Sequence, residues 1–348
     1  MKRLEDFKVA LVGSTGAVGR EVIKTLIQRA PKPLLKNLQL YASPRSEGMK
    51  IQEEDYSWTV KGISDSVEFS GLDIVFFTAG SKVAEKYAPK AAAAGALVID
   101  NSSLYRMQKN VPLVVPEVNG ETLELAVSEK GCRIVANPNC TTAQMVMALK
   151  PLHDQFQIKR VILSSYQAVS GKGQQGIDEF HLQLVERAEK KPLTVKAFPY
   201  AISFNCIPHI DVFQEDGFTG EEQKVMNETR KIMGDESMRV VATCVRVPVM
   251  NCHSESVNIE TTKPITVAAA KEALLKMPGV KLVDDPKSNL YPVATMVDGK
   301  DDVYVGRLRK DPSCENGLGL WIVGDNLRKG AALNAVQIME EAARRGIL

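Results

Sequence analysis

The chain opens with a short apolar strand, a glycine-rich turn and an amphipathic helix, and strand–helix alternation continues as far as residue 138. Phe7 to Val12 predicts the first strand, and apolar residues on one face predict a helix from about Val18 to Arg29. Leu72 to Thr78 is an uninterrupted apolar run, as is typical of a strand buried on both faces. The pattern predicts an α/β fold with a doubly wound parallel sheet of Rossmann type.

The rest of the chain has longer, β-branched strands separated by helices. Such a pattern predicts an α+β second domain with a mixed or antiparallel sheet. An amphipathic final helix, Leu327 to Arg345, is expected to pack back on the first domain. We therefore predict one domain over 1–138, completed by 327–348, and a second over 139–326. The predicted strands are Arg160 to Gln167, Val240 to Val249 and Ser254 to Glu260, and the predicted helices are roughly 173–190, 221–233 and 267–276.

Composition excludes several classes of function. The 44 basic and 42 acidic side chains give a formal net charge of +2, with no dense Lys/Arg stripe for nucleic acid. No stretch reaches the roughly 20 apolar residues of a membrane span, and the N-terminus predicts a strand rather than a signal peptide. We therefore expect a cytoplasmic protein. The six cysteines form no Cys-x-x-Cys pair and no cluster with metal-ligand spacing, which favours free thiols and no bound metal.

A glycine-rich turn joins the first strand to the first helix. Glycines there let backbone N–H groups approach a pyrophosphate closely, and a helix N-terminus favours an anion. The spacing is GxxGxxG rather than the commoner GxGxxG, so the motif is weak alone, and its position supports it. A turn that binds nothing is the alternative. The segment is Gly13-Ser14-Thr15-Gly16-Ala17-Val18-Gly19.

The end of the second predicted strand, Leu38 to Ala42, indicates which dinucleotide binds. An NAD enzyme usually has an acidic residue there for the ribose hydroxyls. This chain instead has Ser43, Arg45 and Ser46. A guanidinium flanked by hydroxyls suits a 2′-phosphate, which favours NADP. A surface turn with a solvated arginine is the alternative.

Cys140 lies between a predicted strand, Arg133 to Asn137, and a predicted helix, Thr141 to Leu149. The positive end of a helix dipole favours a thiolate, which is a strong nucleophile toward a carbonyl. A free cysteine more often fills space in a protein interior. On position alone the two interpretations stay equally open.

Short motifs occur along nearly the whole chain: GSTGAVG, NSSLYR, VPEVN, NPNCTT, SYQAVSGKG, EEQK, CVRVPV, HSES, VGRLRKD and DNLRKGAA. Their order and spacing, from about Val9 to Arg345, resemble the aspartate-semialdehyde dehydrogenase family, in particular its bacterial NADP-using branch. The departures are GSTG where GATG is commoner and Asn251-Cys252 before the histidine. Neither touches a reacting atom.

The resemblance implies that the first domain binds NADP and that the second serves catalysis and dimerisation. It implies that Cys140 is the acyl-thioester nucleophile, His253 the acid/base and Gln167 the residue that orients the substrate. Substrate and phosphate would be bound by Arg106, Asn139, Glu221, Lys224 and Arg246. The cofactor would contact Gly13, Ser14, Thr15, Gly16, Ala17, Val18, Ser43, Arg45, Ser46, Ser170, Gly171 and Asn326.

Some of these residues also have a structural interpretation. Arg246 lies within an apolar strand, so its charge needs a partner, either an internal carboxylate or the α-carboxylate of a substrate. Glu221 and Lys224, spaced i and i+3 on a helix, would alone be interpreted as a solvated ion pair. His253 lies on a partly buried strand face, where a satisfied core histidine is common. Its ordinary pKa, about 6.5, suits proton transfer to and from a thiol.

The function implied is the reversible, NADPH-dependent reduction of 4-aspartyl phosphate to aspartate 4-semialdehyde and inorganic phosphate. The pathway would lead to lysine, through diaminopimelate, and to methionine and threonine. The expected partners are these small molecules and a second copy of the chain in a homodimer, without nucleic acid or membrane. The alternatives are an enzyme resembling N-acetyl-glutamyl-phosphate reductase and a non-catalytic NADP-binding sensor.

Overall fold

The computed structural model describes residues 2–348, which form two compact units. One unit runs through Pro138 and is completed by Ala331–Leu348, and the other is Asn139–Gly330. The chain thus returns to the first unit at residue 331 rather than 327. The four intervening residues group with the second unit because Asp325 accepts hydrogen bonds from the backbone N–H groups of Leu327, Arg328 and Gly330.

The first unit is built on a six-stranded parallel sheet. Its elements are β1 (Val9–Val12), α1 (Ala17–Arg29), α2 (Lys32–Lys36), β2 (Gln39–Ala42), β3 (Lys50–Glu53), β4 (Tyr56–Thr59), β5 (Lys61–Gly62), β6 (Ile74–Phe77), α3 (Ser81–Ala93), β7 (Leu97–Asp100), α4 (Pro116–Asn119), α5 (Glu124–Val127), β8 (Ile134–Ala136) and the C-terminal helix Leu333–Arg345. The strand order is β5-β2-β1-β6-β7-β8. All pairs are parallel, so the predicted doubly wound sheet is confirmed.

Burial on both faces of the sheet explains why its central strands are short apolar runs. Every residue of β1, β6 and β7 is buried. The C-terminal helix packs against α1 and β7 and contributes Val336, Ile338 and Met339 to the same core. This helix begins at Leu333 rather than 327, because residues 328–332 form a wider π-helical turn first.

The second unit is built on a mixed sheet, as the sequence predicts. Its elements are α6 (Cys140–Phe156), β9 (Ile158–Gln167), α7 (Gln174–Ala188), α8 (Gly220–Met233), β10 (Arg239–Arg246), β11 (His253–Thr261), α9 (Val267–Leu275), β12 (Val280–Leu282), α10 (Ala294–Val297), β13 (Val303–Asp311) and β14 (Gly317–Gly324). The strand order is β10-β9-β11-β14-β13-β12. The pairs β10–β9 and β12–β13 are parallel, and the central pairs are antiparallel.

One face of the second sheet is covered by helix α6, which packs against β9, β11, β13 and β14. Residues of β11 alternate between buried and half-buried positions, as a period of two requires. The opposite face leaves Ile162, Tyr166 and Val241 exposed. Among residues 2–348, no helix is long and apolar enough to cross a membrane.

One strand prediction needs correction, and several strands were not predicted. Strand β10 ends at Arg246 rather than Val249, because Pro248 has no N–H group to continue the ladder. The hairpin β3–β4 was not predicted, since Glu54-Asp55 at its turn reads only as a polar break. Strands β13 and β14 were not predicted either, because charged residues in β13 and three glycines in β14 weaken the strand pattern.

Candidate active site

Cys140 is the first residue of helix α6, and Asn139 caps that helix. Oδ1 of Asn139 accepts hydrogen bonds from the backbone N–H groups of Thr141 (3.0 Å) and Thr142 (3.2 Å). Helix α8 in turn holds Asn139. The backbone N–H of Asn139 donates a hydrogen bond to Glu228 (2.6 Å), and Nδ2 of Asn139 donates one to Glu221 (2.8 Å). The helix start that carries the thiol is therefore fixed by two buried glutamates, of which Glu228 was not identified from the sequence.

His253, the first residue of β11, lies beside the thiol. Its Nε2 is 3.2 Å from Sγ of Cys140, although the two residues are 113 positions apart. The imidazole is fully buried. Burial lowers the pKa of His253 well below its usual value, and the charge of Arg246 lowers it further. The ring is therefore neutral at neutral pH.

Hydrogen bonding selects one tautomer of this neutral ring. The backbone N–H of Ala168 donates to Nδ1 of His253 at 3.1 Å, so Nδ1 carries the lone pair and Nε2 the proton. The Nε2–H group then faces the sulfur as a hydrogen-bond donor. This arrangement favours a thiolate nucleophile held by a neutral imidazole. In this resting tautomer, proton donation from Nε2 is easier than proton removal by it.

Gln167 and Glu221 form a polar centre next to this pair. Nε2 of Gln167 donates to Glu221 at 3.1 Å and lies 3.5 Å from Nε2 of His253. Burial raises the pKa of Glu221, but Lys224, Asn139, Gln167 and Arg246 together outweigh it and leave the pKa below its usual value. Glu221 is therefore a buried anion (6 % exposed) rather than a member of a solvated pair.

Lys224 lies between two carboxylates. Its Nζ is 2.6 Å from Asp211 and 3.3 Å from Glu221. Burial lowers the pKa of Lys224, but these two carboxylates outweigh it and raise the pKa above its usual value. The start of α8 is held by a capping box between Thr219 and Glu222, whose Thr-x-x-Glu spacing is typical of this motif. Asp211 was not identified from the sequence, since it lies in an irregular segment 13 residues before the lysine.

Arg246 ends β10 with its side chain 5 % exposed. Its Nη1 donates to the carbonyl of Ala168 at 2.6 Å. Within residues 2–348, no carboxylate lies within ion-pair distance of it, although the charge of Glu221 acts on it. The guanidinium lines a cavity of about 260 Å³ together with Lys172, His209 and Asp211. A buried guanidinium that faces a cavity without an ion pair is suited to a ligand carboxylate.

Ser170, Gly171 and Asn326 lie close to these residues. The hydroxyl of Ser170 is bonded to Asn326, whose Oδ1 also accepts from the backbone N–H of Cys252. Gly171 lies close to the side chains of both Arg246 and His253. A Cβ added there would lie 2.7 Å from Nη1 of Arg246 and 3.1 Å from Cε1 of His253. Only a hydrogen fits at this position.

We expect Gly171→Ala to lower kcat/KM by about 10–100-fold, because displacing reacting groups by a fraction of an ångström has effects of that order. The backbone of Gly171 does not require glycine, so the melting temperature should change by only a few degrees. Steady-state kinetics and thermal unfolding check this. An unchanged kcat/KM in a folded variant would show that the close packing is unimportant.

The first unit places the glycine-rich turn at the carboxyl end of β1. Gly13 has φ +97°, and a Cβ on Gly19 would lie 2.1 Å from the carbonyl oxygen of Gly13, so glycine is needed at both. No described side chain caps α1, whose first N–H groups remain available to an anion. Ser43, Arg45 and Ser46 follow β2, the parallel neighbour of β1. Both segments therefore lie at the same sheet edge and fit a dinucleotide with a 2′-phosphate.

Comparison with known proteins agrees with this geometry. Residues 8–126 match the family described as semialdehyde dehydrogenase, NAD binding domain, and residues 149–329 match semialdehyde dehydrogenase, dimerisation domain. The chain is 49 % identical over 343 residues to an aspartate-semialdehyde dehydrogenase of Aquifex aeolicus, covering 98 % of this chain and 99 % of that one. This chain belongs to the aspartate-semialdehyde dehydrogenase family.

Solved structures of aspartate-semialdehyde dehydrogenases share the fold. Aspartate semialdehyde dehydrogenase II of Vibrio cholerae, complexed with ASA, has a TM-score of 0.92 and 42 % identity, covering 97 % of this chain and 98 % of that one. The Candida albicans enzyme, with NADP, has a TM-score of 0.75 and 26 % identity, covering 99 % and 100 %.

Arg106 is the one predicted phosphate ligand in the first unit. It is buried, and its guanidinium donates to the backbone carbonyls of Asn137 (2.9 Å) and Asn101 (2.8 Å). These contacts hold the loop in shape and fix the direction of the side chain. Its role toward phosphate stays a prediction.

A cluster of potential metal ligands was missed in the sequence because its members are far apart along the chain. Donor atoms of Cys252, Asp298 and Asp325 lie within 4.8 Å of one another. The two carboxylates accept hydrogen bonds from Asn251, and Asp325 also accepts from backbone N–H groups. These bonds explain the cluster as a hydrogen-bonded centre that holds the loops beside His253.

Proposed function

We propose that this chain is an NADP-dependent aspartate-semialdehyde dehydrogenase that works through a thioester on Cys140. The reaction interconverts aspartate 4-semialdehyde plus inorganic phosphate with 4-aspartyl phosphate. The observation that supports it most is the 3.2 Å contact between Sγ of Cys140 and Nε2 of His253. A nucleophile and a proton donor in contact at a helix N-terminus are what acyl transfer needs.

The substrate amino acid is recognised by the opposite charges of Arg246 and Glu221. Arg246, buried and without an ion pair in the described residues, binds the α-carboxylate through two N–H groups. The buried anion of Glu221 binds the α-ammonium group. A carboxylate and an ammonium group held at fixed positions place the aldehyde carbon toward Cys140.

In the oxidative direction, Cys140 adds to the aldehyde carbon and forms a thiohemiacetal. The Nε2–H of His253 hydrogen-bonds the negative charge, first on sulfur and then on the carbonyl oxygen. NADP, when bound, supplies the hydride acceptor that converts this adduct to the thioester. Phosphate then attacks the acyl carbon and the thiolate leaves. The cofactor would be held by the turn Gly13–Val18, by Ser43, Arg45 and Ser46, and by Ser170, Gly171 and Asn326.

Lys224 and Arg106 bind the phosphate. A phosphate that reaches Lys224 must compete with Asp211 for its ammonium group, since the two are 2.6 Å apart. The dianion offers more charge than one carboxylate, which supports the exchange. Two cations then favour phosphate over water at the acyl carbon.

The comparisons support this reaction rather than the alternatives. An N-acetylated substrate has no ammonium group, so the ionised Glu221 would lie buried against a neutral amide. A non-catalytic NADP sensor would have no need of a thiol in contact with a buried imidazole. Comparing turnover of the free and N-acetylated aldehydes distinguishes the two enzymes.

The match of residues 149–329 to a dimerisation domain supports a homodimer. We assign the contact to the outer face of the second sheet, where Ile162, Tyr166 and Val241 are exposed. Sedimentation equilibrium should give twice the mass of one chain. A role in lysine, methionine and threonine biosynthesis, in the cytoplasm, belongs to the same proposal.

An absorbance assay for NADPH, with aspartate 4-semialdehyde and NADP, tests the proposed function. NADPH should form continuously only when phosphate is present, because phosphate releases the thioester. We expect Lys224→Ala to raise KM for phosphate about 10–100-fold or more, with a smaller effect on KM for the aldehyde. Lys276→Ala, at an exposed lysine just after helix α9, is the control. Equal effects on both KM values would contradict the phosphate role of Lys224.

A further inference from the structure

Glu255 is an acidic residue inside the second unit that the mechanism above does not use. It is the third residue of β11, on the same strand face as His253, and 0 % exposed. Among residues 2–348, neither of its carboxyl oxygens accepts a hydrogen bond. A buried carboxylate without a donor is strongly disfavoured, since it loses its solvation without compensation. The neutral acid is the form that this environment permits.

Gln144 carries a second unsatisfied atom beside this carboxyl group. It lies on α6, one turn after Cys140, and is 0 % exposed. Its Nε2 donates to the backbone carbonyl of His253 at 3.2 Å, but no described donor reaches its Oε1. Two acceptors cannot bond to each other, whereas a protonated carboxyl group supplies a donor. One proton on Glu255 therefore gives a hydrogen-bond partner to Oε1 of Gln144 and to one of the two carboxyl oxygens.

The surroundings agree with a protonated Glu255. Burial raises the pKa of Glu255 well above its usual range, and the neighbouring Gln144 amide lowers it only in part. No cation among the described residues acts on this carboxyl group. The titratable groups that face the same interior are Cys140 from α6, Cys244 from β10, His253 from β11, and Glu221 and Glu222 from α8.

We propose that Glu255 is a positioning residue, which as a neutral acid donates a hydrogen bond to Oε1 of Gln144. Gln144, fixed in this way, holds the backbone of His253 and keeps the imidazole in contact with Cys140. The role rests on the proposed function, since it acts through the nucleophile and its proton donor. It resembles other enzymes in which an apolar site keeps a carboxylic acid neutral as a hydrogen-bond donor.

The connection to the reacting atoms runs through one side chain. Gln144 joins α6, which begins with Cys140, to the first residue of β11, which is His253. Gly324, which pairs with His253 across the sheet, provides the space for the Gln144 side chain. A Cβ on Gly324 would lie 2.7 Å from Oε1 of Gln144. Losing the network should loosen the 3.2 Å contact between sulfur and imidazole without altering the substrate cavity.

Kinetics of five variants test the positioning role. Glu255→Gln keeps a donor for Gln144 and should retain kcat within about threefold, whereas Glu255→Met removes the donor and should lower kcat about 10–100-fold. KM for the aldehyde should change less than about twofold in both. Gln144→Met should lower kcat as much as Glu255→Met does. The variant that combines both substitutions should lower kcat little further, as expected of a coupled pair. Val257→Ala, equally buried on the same strand face, controls for lost stability and should keep kcat.

Alkylation of Cys140 by iodoacetamide gives a readout that needs no substrate. Its pH dependence should be unchanged in Glu255→Gln and Val257→Ala and displaced in Glu255→Met. The role is overturned if Glu255→Met lowers only the melting temperature and leaves kcat and the alkylation profile as in the wild type. If the wild type forms no NADPH from the aldehyde, the proposed function fails, while alkylation still decides whether Glu255 positions His253.

The neutral state of Glu255 has its own test through stability. The unfolded chain ionises this carboxyl above its ordinary pKa and the folded chain keeps the proton. Raising the pH therefore increases the equilibrium constant for unfolding by up to about tenfold per pH unit, until the pH reaches the pKa of Glu255 in the folded chain. Urea unfolding should show the wild type losing stability relative to Glu255→Gln between about pH 5 and 8. A constant difference between the two over this range means that Glu255 is ionised in the folded protein, which overturns the proposal.

Discussion

Cys140→Ala should lower kcat by at least about 10⁴-fold, because no other group can hold the acyl chain as a thioester. The dissociation constant for NADP should stay within about twofold, since the glycine-rich turn and the Arg45 segment are untouched. Steady-state assays and isothermal titration calorimetry with NADP measure the two quantities.

Cys206→Ala is the matched control for this prediction, because that thiol is exposed and lies outside the site. It should keep full activity. Mass spectrometry after brief treatment with iodoacetamide should find Cys140 modified before Cys244, whose buried thiol has a raised pKa. Loss of NADP binding together with activity in Cys140→Ala would contradict the separation of cofactor binding from the covalent step.

Arg246→Ala should lower kcat/KM for aspartate 4-semialdehyde by about 10²–10³-fold, the range found when one partner of a buried charge pair is removed. Arg246→Lys should recover part of the loss, because the charge remains and the two-pronged geometry does not. KM for phosphate should change little, since Lys224 and Asp211 do not bond to this guanidinium.

A truncated substrate makes this prediction specific. Aminopropanal lacks the α-carboxylate, so the wild type and Arg246→Ala should turn it over at similar low rates. Arg239→Ala, at the exposed start of the same strand, should behave like the wild type. If Arg246→Ala is equally impaired on both aldehydes, the arginine supports the fold or His253 rather than the carboxylate.

The parts of the fold that depend on local pattern were predictable. Strands β1, β6 and β7 are continuous apolar runs because both their faces are covered, and such runs are visible in the sequence. Helix α8 starts with a capping box because Thr219 and Glu222 are three residues apart. Strand β14 escaped prediction because glycines carry no side-chain pattern and only tertiary pairing defines it.

The candidate site was predictable only as far as each residue has a local signature or a motif. The period of two in β11 places His253 on a buried face, but it does not show that Cys140 lies opposite. Asp211, Glu228 and Gln144 have no signature at all. Their roles come from contacts over 13, 89 and 109 positions along the chain, respectively. Such contacts are set by packing, which spacing in the sequence does not encode.

The proposed nucleophile, Cys140, and its proposed proton donor, His253, both lie on regular elements, at the start of a seventeen-residue helix and of a strand paired on both sides. Much of the cavity that Arg246 lines is irregular: Pro199, His209 and Val212 belong to no helix or strand. In the proposed mechanism, the covalent step therefore depends on regular elements, whereas selection of the aldehyde depends on irregular segments. Irregular segments tolerate substitution better. Libraries that vary these wall positions offer a route to enzymes for longer or bulkier aldehydes with the acyl-transfer chemistry left intact.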